Sequence, residues 1–247
     1  EDISLRAKYI LNKVDFIICE NPKHSLKLLN NLGIKKKLFS LHDYNENKLI
    51  RRIQKFQMSS SIALISDAGA PLISDPGYNL VQSYIKKEIS ITTIPGASSI
   101  ISALQLSGLP INNFEFLGFV PKNSQAIKNF VTKIETFTST KILFIPNRKL
   151  VYFLKTISEK KITNQISVCK ELTKKNENVF RGTASEILEK ISLDDNSLKG
   201  EFILIIEAKE KKSIKNLDLN TKKQIAKLLE KFSLTEVVEI VHKLTNI

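Results

Sequence analysis

The sequence predicts an α/β protein. It reads as two α/β domains with mainly parallel sheets, mixed in the second, followed by a small helical segment at the carboxyl end. Three observations predict this. Short runs of β-branched and aromatic residues alternate with stretches of helical period over most of the chain. Strands separated by helices pair in parallel through right-handed crossovers. A turn-rich, nonperiodic stretch, Gly108-Leu109-Pro110-Ile111-Asn112-Asn113, interrupts the alternation and divides a unit at 1–110 from one at 111–210. Past the charged linker 209–215 the pattern is helical alone, over 216–247.

Taken in order, residues 4–11 read as a helix and 14–19 (Val-Asp-Phe-Ile-Ile-Cys) as a short buried strand. Helix 24–32, closed by Gly33, leads to strand 38–41 and helix 45–56. Residues 61–66, Ser-Ile-Ala-Leu-Ile-Ser, give the clearest buried strand of this half. A loop with two prolines and two glycines follows, then helix 78–86, strand 89–94 and a Pro-Gly-Ala-Ser-Ser turn into helix 99–106. In the second half the order is strand 114–119, helix 125–136, strand 141–145, helix 150–158, strand 165–169, helix 184–190 and strand 201–206. Two amphipathic helices, split near Ser233, fill 220–244. An α/β unit normally opens on a strand, so a first strand and its loop are expected before Glu1.

The chain has 247 residues, 42% of them hydrophobic and 26% charged, which excludes a disordered or fibrous chain. Its apolar runs fall far short of the roughly 18 residues needed to span a bilayer. Two cysteines, Cys19 and Cys169, form neither a disulfide framework nor a structural zinc site and suit the cytoplasm. The net charge of +13 is unevenly placed: residues 121–175 carry 12 basic and 3 acidic groups, whereas 176–247 carry 12 of each. That concentration points to a polyanionic partner, with a merely lysine-rich surface as the alternative.

The segment 66–77, Ser-Asp-Ala-Gly-Ala-Pro-Leu-Ile-Ser-Asp-Pro-Gly, stands at the carboxyl end of a strand, where open α/β sheets bind ligands. Glycine lets backbone approach a ligand closely and proline stiffens the loop. Asp67, directly after the strand, is placed to face a ligand; Asp75 is as well explained by turn and capping bonds. The 95–99 turn opens a helix and offers hydroxyls and first-turn amides to an anion, unless Ser98 and Ser99 are simply caps. GxGxxG, GxxxxGK[ST] and Gly-x-Ser-x-Gly motifs and metal-spaced Asp/Glu/His triplets are missing from the sequence, so dinucleotide, P-loop, hydrolase and metal chemistry lose support. His24 and His42 both follow first-half strands and could approach one cleft, whereas His242 reads as structural.

In order, these segments resemble the small-subunit ribosomal RNA ribose 2′-O-methyltransferases of the tetrapyrrole methylase superfamily. Residues 1–7 (EDISLRA) are similar to that family's LEDITLRA, 40–46 (SLHDYNE) to SLHEHNE, and 66–77 to SDAGTPLISDPG with Ala70 for Thr. Likewise 95–99 resembles PGPSA, 118–122 GFLPRK, 170–174 RELTK and 199–202 KGEF. The resemblance implies S-adenosylmethionine held between two α/β domains of a homodimer. It further implies methyl transfer to a decoding-centre cytidine of small-subunit RNA or of the 30S subunit, in the cytoplasm and away from membranes. Carried over by motif, Asp67, Ala68, Gly69, Ala70, Ser98 and Ser99 line the cofactor, with Pro146 and Ala208 as walls from the second domain. Lys122, Arg148, Lys149, Lys170 and Lys174 meet RNA phosphates.

Two segments depart from the family pattern. Residues 20–24 read Glu-Asn-Pro-Lys-His where the family has EDTRH, and 144–149 read Phe-Ile-Pro-Asn-Arg-Lys where it has YESPHR. Transfer to a ribose hydroxyl needs an in-line approach and help in removing a proton of high pKa. Glu20 or Lys23 is the expected polar group near the acceptor oxygen, with Glu171 as a further candidate; a structural ion pair is the alternative for Glu20 and Glu171. Two rival functions remain open at this point: a degenerate, non-catalytic RNA-binding or ribosome-assembly factor, and a methylase of a small tetrapyrrole-type molecule.

Overall fold

The computed structural model describes residues 2–53, 60–193, 198–208 and 219–245, the side chains of 219–222 and 242–245 excepted. The end of the expected helix 45–56, the 209–215 linker and the side chain of His242 therefore lie outside the described residues.

The first sheet is parallel. Strand β1 (Phe16–Cys19) lies between β2 (Lys37–Ser40) and β3 (Ile62–Ile65). Helix α1 (Leu5–Lys13) starts where Ser4 Oγ accepts the Ala7 amide, and α2 (Pro22–Asn31) where Asn21 Oδ1 accepts those of Lys23 and His24. Alternate β1 side chains face opposite ways. Ile17 packs with Leu11 and Leu29 of α1 and α2; Phe16 and Ile18 pack with Leu49, Ile53 and Leu80 of α3 (Glu46–Ile53) and α4 (Tyr78–Ile85).

The expected strand 89–94 does not form. After Glu88, in the left-handed region at φ +57°, the chain runs irregularly to Ser98 without joining a ladder, and Ile91 is 48% exposed. A strand exists only through its neighbours, and β3 pairs with β1 alone among the described residues.

The second sheet has the order β4-β5-β8-β6-β7, formed by β4 (Phe114–Phe119), β5 (Thr140–Pro146), β6 (Ile166–Lys170), β7 (Asn178–Gly182) and β8 (Glu201–Ile206). Strand β8 runs antiparallel to both β5 and β6, so the sheet is mixed. Helices α6 (Ser124–Val131), α7 (Asn147–Glu159) and α8 (Ala184–Ser192) cover one face with Ile127, Phe153, Leu154 and Ile187. The opposite face receives α5 (Ser99–Ser107), whose Ala103 and Leu104 pack on Ile142, Cys169, Ile203 and Ile205. The Arg181 guanidinium of β7 donates through Nε to the Leu106 and Ser107 carbonyls (3.1 and 3.2 Å), satisfying the last turn of α5. Strand β7 was not expected from the sequence: only Val179 and Phe180 are apolar in it, and it forms by pairing with β6. Two helices, α9 (Leu219–Leu229) and α10 (Leu234–Thr245), close the chain. Among the described residues no helix is long and apolar enough to cross a membrane.

Candidate active site

The 66–77 loop is built against local preference. Gly69 (φ +72°), Leu72 (+73°), Ser74 (+67°) and Gly77 (+128°) all lie in the left-handed region. For Leu and Ser that conformation costs of order 1 kcal/mol each and persists only when the surroundings impose it. Ser66 Oγ ties the loop to itself by donating to the carbonyls of Ala68 and Gly69 (3.2 and 3.0 Å). Asp67 Oδ1 accepts the Asn21 amide at 3.3 Å, joining the loop to the start of α2.

Three carboxylates converge here. Glu20, at the end of β1, and Asp75 line one recess with Ser66, Leu64 and Pro71. Burial, followed by the nearby charges of Glu20 and Asp67, holds the Asp75 carboxyl above the usual aspartate range. None of the three is in an ion pair among the described residues. The recess itself holds only about 10 Å³, room for a water but not a nucleoside. Ala68, Gly69 and Ala70 of the same loop are exposed. At Ser74 the loop meets the second sheet: a Cβ added at Gly118 of β4 would stand 3.9 Å from Ser74 Oγ.

The second sheet brings Pro146 and Glu171 to one end and Ala208 to the other. Strands β5 and β6 end at Pro146 and Lys170, opposite Glu201 and Phe202 at the start of β8, whereas β8 finishes at Ile206 beside Lys141. At 3.3 Å per residue the ends of β8 stand roughly 17 Å apart. The contact of Ser74 with Gly118, near the end of β4, puts the Pro146 end beside the loop, and the last carbonyls of α5 sit on Arg181, paired with Ser167, so its first turn with Ser98 and Ser99 points toward that same end. Ala208 therefore does not share a wall with Pro146 and Ser98, contrary to the expectation from the motifs. Ser98 occupies the cap position of α5 without a side-chain capping bond, and Ser99 is exposed, so neither hydroxyl is consumed as a cap.

Glu171 is differently placed. Its backbone is left-handed (φ +48°), its Oε1 accepts the Glu201 amide at 2.8 Å, and Lys174 Nζ bridges Glu171 and Glu201 at 3.0 and 2.9 Å. Those bonds hold the carboxyl below the usual glutamate range, the Glu201 amide contributing most. Gly200 (φ +112°) makes room for it, since a Cβ there would fall 2.5 Å from Glu171 Cγ. Glu171 is a brace between loop and strand, and its bonds leave it unsuited to proton transfer.

Of the lysines expected to meet RNA, Lys174 lies between two carboxylates, Lys149 Nζ donates to the Pro121 carbonyl at 2.9 Å, and Lys170 is 7% exposed. Lys122 and Arg148 are exposed, as is Lys23 in the first turn of α2. His42 Nε2 and Ser40 Oγ are 2.7 Å apart, and Ser40 Oγ donates to the Glu20 carbonyl; His24 is exposed. Glu46 ends the 40–46 segment matched to SLHEHNE, but the sequence assigned it no role; it is 5% exposed and accepts the Leu80 amide at 2.8 Å. The motif marked the residue without marking its bonding partner, which lies on another helix.

Residues 1–188 match the family model described as Tetrapyrrole (Corrin/Porphyrin) Methylases. The chain belongs to this family. Within the tetrapyrrole methylases it is similar to proteins named ribosomal RNA small subunit methyltransferase I. The one from Xylella fastidiosa is 38% identical over 208 residues, 83% of this chain and 76% of that protein. The one from Mycoplasmopsis pulmonis is 40% identical over 211 residues, 85% and 93% of the two chains. The fold of this tetrapyrrole methylase resembles the crystal structure of diphthine synthase, with a TM-score of 0.64 at 16% identity over 84% of this chain and 85% of that one. It also resembles cobalt precorrin-4 methyltransferase (TM-score 0.58, 12% identity, 83% and 88% covered).

Proposed function

We propose that this chain transfers a methyl group from S-adenosylmethionine to the ribose 2′-hydroxyl of a decoding-centre cytidine in small-subunit ribosomal RNA. The coarser part, an S-adenosylmethionine-dependent methyltransferase of ribosomal RNA, follows from membership of the family and from relatives that span most of the chain. One observation carries the assignment of the site: Glu20, Asp67 and Asp75 converge on a strained loop without an ion pair among the described residues, and that loop meets the second sheet where Ser74 approaches Gly118. S-adenosylmethionine is cationic at sulfur and at its amine and supplies, when bound, an activated methyl group. A crowded, unneutralised set of carboxylates fits that charge, and the small residues Ala68, Gly69 and Ala70 leave a surface onto which a nucleoside can lie.

In this reading Asp67 orients the donor from its tether on the Asn21 amide. Ser98 and Ser99, with the first-turn amides of α5, hold the donor's carboxylate, and Pro146 closes the far wall. Glu20 accepts the proton of the ribose hydroxyl, while Lys23 binds a neighbouring phosphate. Lys122 and Arg148 meet the RNA backbone. The units 1–110 and 111–210 bound the site, and the working form is a cytoplasmic homodimer.

Isotopically labelled S-adenosylmethionine, incubated with the protein and unmodified small ribosomal subunits, tests this. Nuclease digestion and mass spectrometry should return 2′-O-methylcytidine from the decoding centre. Label on a base would overturn the ribose assignment; donor binding with no transfer to RNA would favour a binding factor.

A further inference from the structure

Residues 40–46 have no part in the transfer just described, yet they touch both sides of the site. Ser40 Oγ donates to the Glu20 carbonyl at 3.1 Å, and Asn45 holds Ser40 in place, its Nδ2 donating to the Ser40 carbonyl (3.1 Å) while its Oδ1 accepts the His42 amide (2.8 Å). The next residue, Glu46, is the buried carboxylate. Its Oε1 accepts the Leu80 amide at 2.8 Å and its Oε2 accepts Asn79 Nδ2 at 2.9 Å.

Leu80 is the third residue of α4, whose first-turn amides need acceptors. A serine, asparagine or aspartate at the preceding cap position ordinarily provides one. Gly77 holds that position and has no side chain to offer. A capping residue there would be strained, because the φ is +128°, and its Cβ would push aside Leu72 Cδ2 at 2.8 Å and Leu64 Cδ2 at 3.0 Å. The tight turn that ends the 66–77 loop thus disfavours a local cap, and α3 supplies one from a distance. A carboxylate at a helix N-terminus makes charge-assisted bonds and is favoured by the helix dipole. Without it the Leu80 amide, in a residue only 6% exposed, would be left unsatisfied.

We propose that Glu46 is a positioning residue for donor binding: as the remote cap of α4 it fixes where the 66–77 loop ends, and so holds Asp67 and Asp75 in their binding geometry. The proposal rests on the reading that this loop binds S-adenosylmethionine. Glu46 itself touches neither donor nor RNA.

Calorimetric titration of the full chain with S-adenosylmethionine tests it, using wild type, Glu46→Ala, Glu46→Gln and, as a control of comparable destabilisation, Leu49→Ala. Leu49 packs in the same core cluster without bonding to the loop. Glu46→Ala is expected to weaken binding about tenfold and to raise KM for the donor with kcat within about twofold. Glu46→Gln, whose amide oxygen can still accept from Leu80, should restore affinity to within about threefold, and Leu49→Ala should bind like wild type. If Glu46→Ala fails to fold, Glu46→Asp, which keeps the charge but falls short of the Leu80 amide, takes its place with the same expected weakening. Affinity unchanged in these variants, or reduced no more than in Leu49→Ala, overturns the proposal while leaving the donor site standing. A wild-type chain that binds no S-adenosylmethionine overturns the donor site and the proposal together.

Discussion

At the carboxyl end of β3, Asp67 and Asp75 share a strained loop with Glu20 nearby, and burial, followed by the charges of Glu20 and Asp67, raises the Asp75 carboxyl above its ordinary range. At the carboxyl end of β6, Glu171 and Thr173 are also left-handed, but there the Glu201 amide and then Lys174 hold the carboxylate and lower its pKa. Both loops hold acids on unfavourable backbone, and four of the six non-glycine residues with positive φ among the described residues fall in them. Strain alone therefore does not separate a binding loop from a brace. The partners do: the acids of the first loop are in no ion pair among the described residues, whereas Glu171 is tied to Lys174 and to the Glu201 amide.

The largest expected effect separates the loops by ligand affinity. Asp67→Ala should weaken S-adenosylmethionine binding tenfold or more, corresponding to about 1.4 kcal/mol, while Glu171→Ala stays within about twofold; calorimetry on both variants decides. Equal losses would mean that both loops touch the donor. Next comes stability. Gly200→Ala forces a side chain into φ +112° against Glu171 and should cost on the order of 2 kcal/mol in denaturant unfolding, with donor affinity unchanged.

Acidity gives a smaller and oppositely signed pair. The raised pKa of Asp75 means that its protonated form favours the fold. That contribution is complete below its ordinary value of 3.8 and is lost as pH rises through the raised value. Asp75→Asn should therefore raise the unfolding midpoint at pH 7, by less than about 1 kcal/mol after solvent screening, and the gain should vanish as the pH is lowered. Glu171→Gln should do the reverse: a loss at pH 7 that shrinks as the pH falls through a folded pKa below 4.5. Matching signs for the two variants would break the contrast. The smallest effect concerns RNA. Arg148→Ala should weaken binding to small-subunit RNA a few-fold and reduce the salt slope by about one, whereas Lys174→Ala should leave the slope unchanged in filter-binding titrations.

Much of this architecture was legible in the amino-acid order, because buried strands such as Phe202 to Ile206 read as continuous apolar runs. Strand β7 was not, since two apolar residues give no period and its existence depends on the β6 edge. Residues 89–94 misled in the opposite direction, with a strand-like alternation and no ladder to join. For the site, the density of Ser-Asp pairs, Pro and Gly marked 66–77 directly. Pro146 and Ala208 were paired as walls by motif, but β5 and β8 run in opposite directions, which motif order does not encode. The role of Glu46 stayed hidden for a related reason: its partner lies 34 residues away on another helix.

Amide hydrogen exchange with and without S-adenosylmethionine tests the central contrast most directly. Donor binding should protect the amides of 66–77 and the first turn of α5, and leave those of 170–177 as they were. Protection confined to 170–177, with 66–77 exchanging as freely as before, would contradict the assignment.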